Sequence, residues 1–351
     1  MDSLENFTQL LRDNQSLEHD QIRLCIDFLT AEKVLLEEKE NFLLSLALKG
    51  ETAEEIASFI NYFRELARNP ELHEFSDQAI DLCGTGGDRA GSFNISTFVS
   101  FILASAGVPV IKHGNRSVSS KCGSADLLEA VGIPLELDIN QINESMKQLS
   151  FTFLFAPSFH PAFKHIAPVR KELAKKGIIT IFNILGPLIN PARPGFQVLG
   201  VYAQELVSRI GNSLKQTGIK SGYVVHGCVD DHPTITGVDE LTSSGQNIIC
   251  GFEQKKGISN QSWGPENFGL EYTNISDIKG GDLKRNLELM NLLLNNRAPK
   301  GLTSSVLMNA ALAFMTVGKT NNLQEGVDLA RQLLIDGDVK KWLDAVRTFY
   351  S

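Results

Sequence analysis

Cysteine is sparse and scattered in this chain. Its five cysteines (Cys25, Cys83, Cys122, Cys228 and Cys250) lie far apart, are odd in number and never fall into a Cys-x-x-Cys spacing. That argues against a disulfide framework or a zinc ribbon and for reduced, mostly buried thiols in the cytoplasm. Long apolar runs are missing too. None reaches the roughly 18 residues of a membrane span, and the longest, around 178–189, contains Asn183, Gly186 and Pro187. The opening MDSLENFTQLL starts acidic and lacks the charged-then-apolar order of an export signal, so a cytoplasmic protein is expected. Basic charge is in deficit: 33 Lys and Arg against 41 Asp and Glu give a net charge of −8, and no basic block stands out. Neither nucleic acid nor membrane is therefore an expected partner. An anionic ligand would have to be met by local cations, backbone N–H groups or metal ions. Two common phosphate signatures are also absent. No Gly-Lys-Ser/Thr follows the glycines at 84–87, which excludes a Walker loop, and Arg89 stands where the third glycine of a dinucleotide fingerprint belongs.

With 351 residues, 42% of them hydrophobic, the chain has material for one large domain and a smaller one. The first 72 residues read as a small helical domain. Leu4, Phe7, Leu10 and Leu11 recur at helical spacing, as do Ile22, Cys25, Ile26 and Leu29, then Phe42, Leu43 and Leu46. Lys49-Gly50 ends one helix, and Thr52 with Glu55 makes a capping box for the next. From 73 to the end the pattern is that of an α/β domain with a mostly parallel sheet. Short β runs at 79–83, 108–111, 151–155, 198–202 and 223–225 alternate with helical patterns at 97–106, 123–131, 139–148, 159–174 and 204–217. Residues 226–280 are polar and rich in Gly and Ser and read as hairpins or loops. Helices return at 281–295, 303–316, 322–335 and 338–348.

The chemistry concentrates in 80–126. A strand ending in Gly84-Thr85-Gly86-Gly87-Asp88 can wrap backbone N–H groups around an anion. Ser92, Asn94, Ser96 and Thr97 crowd the start of the next helix, where unsatisfied N–H groups and the dipole favour phosphate. A helix cap needs one such residue, not four in six positions. The next strand delivers Lys112-His113-Gly114-Asn115-Arg116, with Ser119, Ser120 and Ser124 beyond it. Lys112 can neutralise a leaving pyrophosphate. His113 can take a proton from a reacting amine or serve as a structural histidine, and the residues leave both open. His160 and His226 read as loop residues. Asp239-Glu240 suits magnesium, which takes one or two carboxylates together with substrate phosphates, although adjacent acids are often just a solvated loop.

The motifs GTGGD, NIST, KHGNRSVSSKCGSADLLEAVG, FAPSFHPAFKHIAPVRKEL and IFNILGPLINPA resemble the anthranilate phosphoribosyltransferase family. The resemblance spans nearly the whole chain, from KGETAEEIASF to GGDLKRN, LMNAALAF and LQEGVDLA. It implies transfer of a phosphoribosyl group from 5-phosphoribosyl 1-pyrophosphate to anthranilate in tryptophan biosynthesis, two magnesium ions and a homodimer built through the helical domain. It also implies an active site in the cleft between the two domains, with a returning segment near 165–190 joined to the helical one. Donor contacts carry over to Gly84, Gly87, Asp88, Ser92, Asn94, Ile95, Ser96 and Thr97. They continue through Lys112, His113, Gly114, Asn115, Arg116, Ser117, Val118, Ser119 and Ser120 to Ser124. Gly84, Asn115 and Arg170 would meet anthranilate, and Ser96, Asp239 and Glu240 would hold metal.

The chain departs from the family pattern in places. Ser92 replaces a threonine. Residues 228–236 form a longer segment, in which Asp230-Asp231 are rival metal ligands. Two extra residues lie near Lys175-Lys176, and Ile179 stands where a second arginine is usual. A different acceptor on the same fold, or a catalytically silent binding protein, are the alternatives these departures keep open.

Overall fold

The amphipathic spacing of the first segment is realised as four helices, α1 (Leu4–Arg12), α2 (His19–Thr30), α3 (Leu36–Lys49) and α4 (Ala53–Glu65), in the computed structural model. The structure describes residues 3–116, 121–229, 232, 234–255 and 257–351. The capping box at Thr52 and Glu55 is present, and Gly50 (φ +82°) ends α3. Glu55 does more than cap. Its carboxylate accepts from the Leu17 N–H at 2.9 Å and from the Lys49 ammonium at 2.7 Å, and both charged side chains are nearly sealed from water. One acid thus ties the α1–α2 connection, the end of α3 and the start of α4 together.

These helices share their core with the rest of the chain. Ile26, Phe42, Phe59 and Phe63 belong to one apolar cluster with Ile166, Val169 and Leu185 from the returning segment. The same cluster includes Leu206 and Ile210 of the helix Glu205–Leu214.

A single turn, α5 (His73–Ser76), leads into the sheet, whose strands are β1 (Ile80–Gly84), β2 (Val110–Gly114), β3 (Phe151–Phe155), β4 (Phe196–Gly200), β5 (Ser221–Cys228), β6 (Gly237–Val238), β7 (Asn247–Glu253) and β8 (Gln261–Trp263). Among the described residues their order is β3-β2-β1-β4-β5-β7-β8, with β6 paired to the end of β5. The first five in that order run parallel, while β7, β8 and β6 are added antiparallel. The 226–280 stretch therefore does form hairpins, which widen the sheet. His226, expected in a loop, lies within β5.

Helices cover both faces. On one lies α6 (Ile95–Ser105) with the C-terminal helices Leu283–Leu294, Lys300–Thr316, Leu323–Ile335 and Asp338–Tyr350; on the other lie Glu205–Leu214 and the N-terminal helices. The expected helix 159–174 is divided into Ala156–Phe159, a 3-10 turn Pro161–His165 and Ala167–Lys175. Pro161 opens the middle piece and Pro168 sits in the first turn of the last, positions where proline is tolerated but a continuous ladder is not.

The strand order reverses between β2 and β4 on either side of β1, the kind of switch point where open α/β sheets bind ligands beyond the carboxyl ends of their strands. Replacing Glu55 by Ala leaves the buried Lys49 ammonium unpaired. Denaturant unfolding should show a loss of about 3–5 kcal/mol, most of it recovered in the apolar double variant Lys49→Met/Glu55→Leu.

Candidate active site

The carboxyl ends of β1, β2 and β4 lie side by side, and each ends in glycine: Gly84, Gly114 and Gly200. Gly86 and Gly87 leave β1 with left-handed backbone (φ +67° and +86°), and Arg89 (+58°) and Gly91 (+62°) repeat it. Clustered turns of this kind turn successive N–H groups to one side and form an anion-binding concavity. The loop then pairs with a distant segment. Ser92 bridges to Lys279, the Gly280 N–H donates to the Gly91 carbonyl at 2.9 Å and the Phe93 N–H to the Ile278 carbonyl at 2.8 Å. Asn94 caps α6 in position, while its side chain is spent elsewhere. Its amide donates to the Cys122 carbonyl at 3.2 Å, and its oxygen accepts from Asn286 at 2.9 Å. The side chains of Ile95 and Thr97 are buried under α6, so these positions offer an outside ligand their backbone.

Asp239 and Glu240 are brought to the same edge by the short strand β6. The Gly86 N–H donates to Asp239 Oδ2 at 2.7 Å, and the Ser96 N–H, in the first turn of α6, donates to Glu240 Oε1 at 2.9 Å. Asp88 joins them, accepting from the Asp239 N–H at 3.4 Å. The approach needs glycine twice. A Cβ on Gly84 would lie 2.2 Å from Asp239 Oδ2, and one on Gly200 would lie 1.5 Å from the Asp239 carbonyl oxygen. Burial and mutual repulsion raise the acids: Asp239 goes well above its ordinary value through burial, Asp88 and Glu240. Glu240 is pushed up to about 7 by burial, opposed by the Ser96 N–H and Lys112. Among the described residues no three His, Cys, Asp or Glu side chains converge into a ready-made metal cage.

The sequence places Lys112 and His113 just past a strand, but β2 continues through both. Alternation therefore sends them to opposite faces. Lys112, only 2% exposed, points toward α6; its ammonium donates to the Leu82 carbonyl and reaches Ser96 Oγ at 3.5 Å. Burial lowers its pKa, opposed by Asp81, Cys83 and Glu240. His113 faces the other way, 5.1 Å ring to ring from His160. Burial, together with His160, holds His113 well below its ordinary value, and burial lowers His160 to about 4, so both are neutral at neutral pH. Ring contacts continue from His160 to Phe163 (5.8 Å) and from Phe163 to Phe182 (5.6 Å), and the Arg170 guanidinium lies 5.6 Å above the Phe182 ring.

Other expected residues have other partners. Arg116 directs its fork at Asp126 (2.8 Å) and Glu129 (3.0 Å) on α7 (Ser124–Ala130). Asn115 is exposed, and its carbonyl accepts from Ser124 Oγ at 3.4 Å. Ser124 also packs where a Gly114 Cβ would be, 2.8 Å away. Ser117, Val118, Ser119 and Ser120 lie outside the described residues, as do Asp230 and Asp231.

Sequence reasoning passed over the residues that brace this edge. Asn309 grips the main chain after Glu240, Asn286 joins Asn94 to the Gly281 N–H, and the fully buried Asp81 accepts from the His113 N–H and from Asn190. Asp81 and Asn309 are polar residues inside otherwise apolar stretches, the one sign that could have marked them, whereas Asn286 follows Lys284 and Arg285 and carries no such sign. The Gly200 contact predicts that Gly200→Ala displaces Asp239. A lower thermal midpoint is expected, measured by calorimetry.

Residues 76–340 match the family described as glycosyl transferase family, a/b domain. The chain is 37% identical over 346 residues to the anthranilate phosphoribosyltransferase of Persephonella marina, covering 99% of this chain and 98% of that one. It is 39% identical over 344 residues to the enzyme of that name from Petrotoga mobilis, covering 98% and 96%. The crystal structure of anthranilate phosphoribosyltransferase from Thermus thermophilus superposes with a TM-score of 0.87 at 37% identity, covering 98% of this chain and 99% of that one. A Saccharomyces cerevisiae structure of the same name, in complex with PRPP and Mg, shares the fold at a TM-score of 0.81 and 23% identity, covering 99% and 97%. With a glycosyl transferase a/b domain over most of its length and full-length likeness to these enzymes, the chain belongs to the anthranilate phosphoribosyltransferase family.

Proposed function

We propose that the chain transfers the phosphoribosyl group of 5-phosphoribosyl 1-pyrophosphate to the amine of anthranilate, giving N-(5-phosphoribosyl)anthranilate and pyrophosphate in tryptophan biosynthesis. One observation carries this reading: the glycine loop, the start of α6, Lys112 and the Asp239-Glu240 pair meet at the carboxyl edge of β1, β2 and β4. An anionic donor fits that edge. Its phosphates would take the loop N–H groups and the α6 terminus, with Lys112 supplying charge from beneath the first turn. The hard step is breaking the C1–O bond, as negative charge gathers on pyrophosphate and the ribose becomes cationic. Fixed N–H dipoles and a buried ammonium favour that charge distribution without reorganising.

Magnesium fits the donor set. Asp239 and Glu240, raised by burial and by the crowding of acids around them, invite a cation, and the lack of a complete protein cage among the described residues leaves room for donor phosphates as further ligands. When bound, the ion adds positive charge against the departing pyrophosphate. Two ions are proposed, held with Ser96, Asp239 and Glu240. Anthranilate would lie on the opposite face of β2. There Arg170 offers a planar fork to its carboxylate. The rings of His113, His160, Phe163 and Phe182 would line that side, and Asn115 and Gly84 would also meet the acceptor.

We further assign 1–72 with the returning segment near 165–190 to a helical domain, and 73–351 to the donor domain, with the cleft between them as the reaction site. A homodimer through the helical domain is supported by exposed apolar residues there, among them Leu35 (65%) and Leu48 (78%). Among the described residues no helix is long and apolar enough to cross a membrane, which is compatible with the proposed cytoplasmic location.

A second reading, the same donor with another acceptor, rests on Ile179, which is 56% exposed where the family carries an arginine. Loss of anthranilate fluorescence in the presence of donor and magnesium tests the first reading; turnover of another amine with none of anthranilate would replace it by the second. Arg170→Ala should raise the anthranilate KM at least about tenfold with little change in the donor KM, and equal shifts in both would remove Arg170 from the acceptor side. The raised Glu240 pKa gives a pH test. Cation binding needs the ionised carboxylate, so half-saturating magnesium should rise as pH falls below about 7, by up to about tenfold per unit. Glu240→Gln should flatten that slope.

A further inference from the structure

We propose that Asn309 is a positioning residue for this reaction, one that sets the depth of the Asp239-Glu240 pair by gripping the main chain of the residue that follows it. The inference rests on the reading of that pair as magnesium-binding. Asn309 lies in the helix Lys300–Thr316, among Val306, Leu307, Met308, Ala310 and Leu312, and is 4% exposed. A primary amide in such surroundings is unfavourable unless every polar atom finds a partner. Its Oδ1 accepts from the Leu241 N–H at 3.1 Å. Its Nδ2 donates to the Leu241 carbonyl at 2.8 Å and to the Ser305 carbonyl at 2.8 Å. The amide thus stands in for a neighbouring β-strand, satisfying both main-chain groups of a residue that is itself fully buried.

This grip is one side of a vice. On the other side, the Asp239 main chain presses against Gly200, the Gly86 N–H holds the Asp239 carboxylate, and the Ser96 N–H holds Glu240. A second contact from the helix reinforces the grip one turn earlier, where Ser305 Oγ accepts from the Ser243 N–H at 3.2 Å. Asn309, Glu240, Ser96 and Gly200 also border one small internal void, so a shift of the amide leaves little between the helix and the Glu240 side chain. An apolar side chain of similar size at 309 would fill the volume but strand two buried main-chain groups, and the loop would move to recover them.

The experiment compares Asn309→Leu and Asn309→Ala with Glu240→Gln and with Thr316→Val. Thr316 is buried in the same helix, and among the described residues its hydroxyl bonds within that helix, to the Leu312 carbonyl. Readouts are half-saturating magnesium, KM for each substrate, the thermal midpoint, and binding of manganese with 5-phosphoribosyl 1-pyrophosphate followed by electron paramagnetic resonance. Positioning predicts that both Asn309 variants weaken manganese binding and raise half-saturating magnesium about tenfold. The anthranilate KM should stay within about twofold, and Thr316→Val should shift neither metal readout. If Leu at 309 fails to fold, the Ala variant, which leaves room for water at the stranded groups, decides the matter. If Glu240→Gln weakens manganese binding and the Asn309 variants do not, the positioning proposal falls and the metal reading stands. If Glu240→Gln leaves manganese binding unchanged, the metal reading itself falls. Equal metal effects from Thr316→Val would reduce Asn309 to a general stabilising role and overturn the proposal.

Discussion

The site depends on two strands that do not stay together. β1 and β2 share a single registered pair, Ile80 with Val110, whereas β1 and β4 share five. Beyond that pair, side chains fill the places of ladder partners. The His113 N–H meets Asp81 Oδ1 at 3.4 Å, the Leu82 carbonyl accepts the Lys112 ammonium, and the Ile111 carbonyl accepts Asn190 Nδ2 at 2.9 Å. Asn190 also donates to Asp81 Oδ2 at 2.9 Å, closing the set. Burying an acid and a lysine is expensive, and burial indeed raises Asp81 to about 6 and lowers Lys112. What the arrangement gains is a pair of central strands that separate while the His113 N–H and the Leu82 and Ile111 carbonyls keep side-chain partners.

The same strand then separates two kinds of chemistry. Because β2 carries Lys112 and His113 on opposite faces, the ammonium belongs to the α6 side, with Ser96 and Glu240, and the imidazole to the side of His160, Phe163 and Phe182. One face holds the ammonium among N–H dipoles and acids, and the other is lined by the rings of His113, His160, Phe163 and Phe182, with the Arg170 guanidinium above Phe182. The period of two in a β-strand sets these two surroundings on opposite sides of adjacent residues.

Much of this was legible in the sequence where local rules act. The glycine loop, the polar start of α6, the capping box at Thr52 and the alternation of strands with helices depend on near neighbours, and they appear where expected. Charged and polar residues seldom occupy a central strand, so the sequence places Lys112 and His113 past its end; here the splay from β1 lets the Lys112 ammonium reach the Leu82 carbonyl and Asp81 meet the His113 main-chain N–H. Gly and Ser blur the alternation of β7 and β8, so the sequence there reads equally as hairpin or loop. Asp81, Asn190, Asn286 and Asn309 could not be read as braces, because each also bonds a group 32 to 192 residues away along the chain, and it is that distant bond that braces.

The longer 228–236 segment shows how such distant bracing can tolerate local change. It begins and ends in the β5–β6 ladder, where Gly227 pairs with Val238 and Cys228 with Gly237, and the Val229 N–H reaches the Thr236 carbonyl at 3.2 Å. The extra residues are therefore pinched off before Asp239. From Asp239 onward the main chain is set by Gly200 on one side and Asn309 on the other, neither of which belongs to that loop. Lengthening a loop closed by its own ladder costs little, since closure entropy grows only slowly with length. A departure from the family pattern a few residues from Asp239 can thus leave the acidic pair in place, whereas one methyl group on Gly200, 39 residues before it, could not.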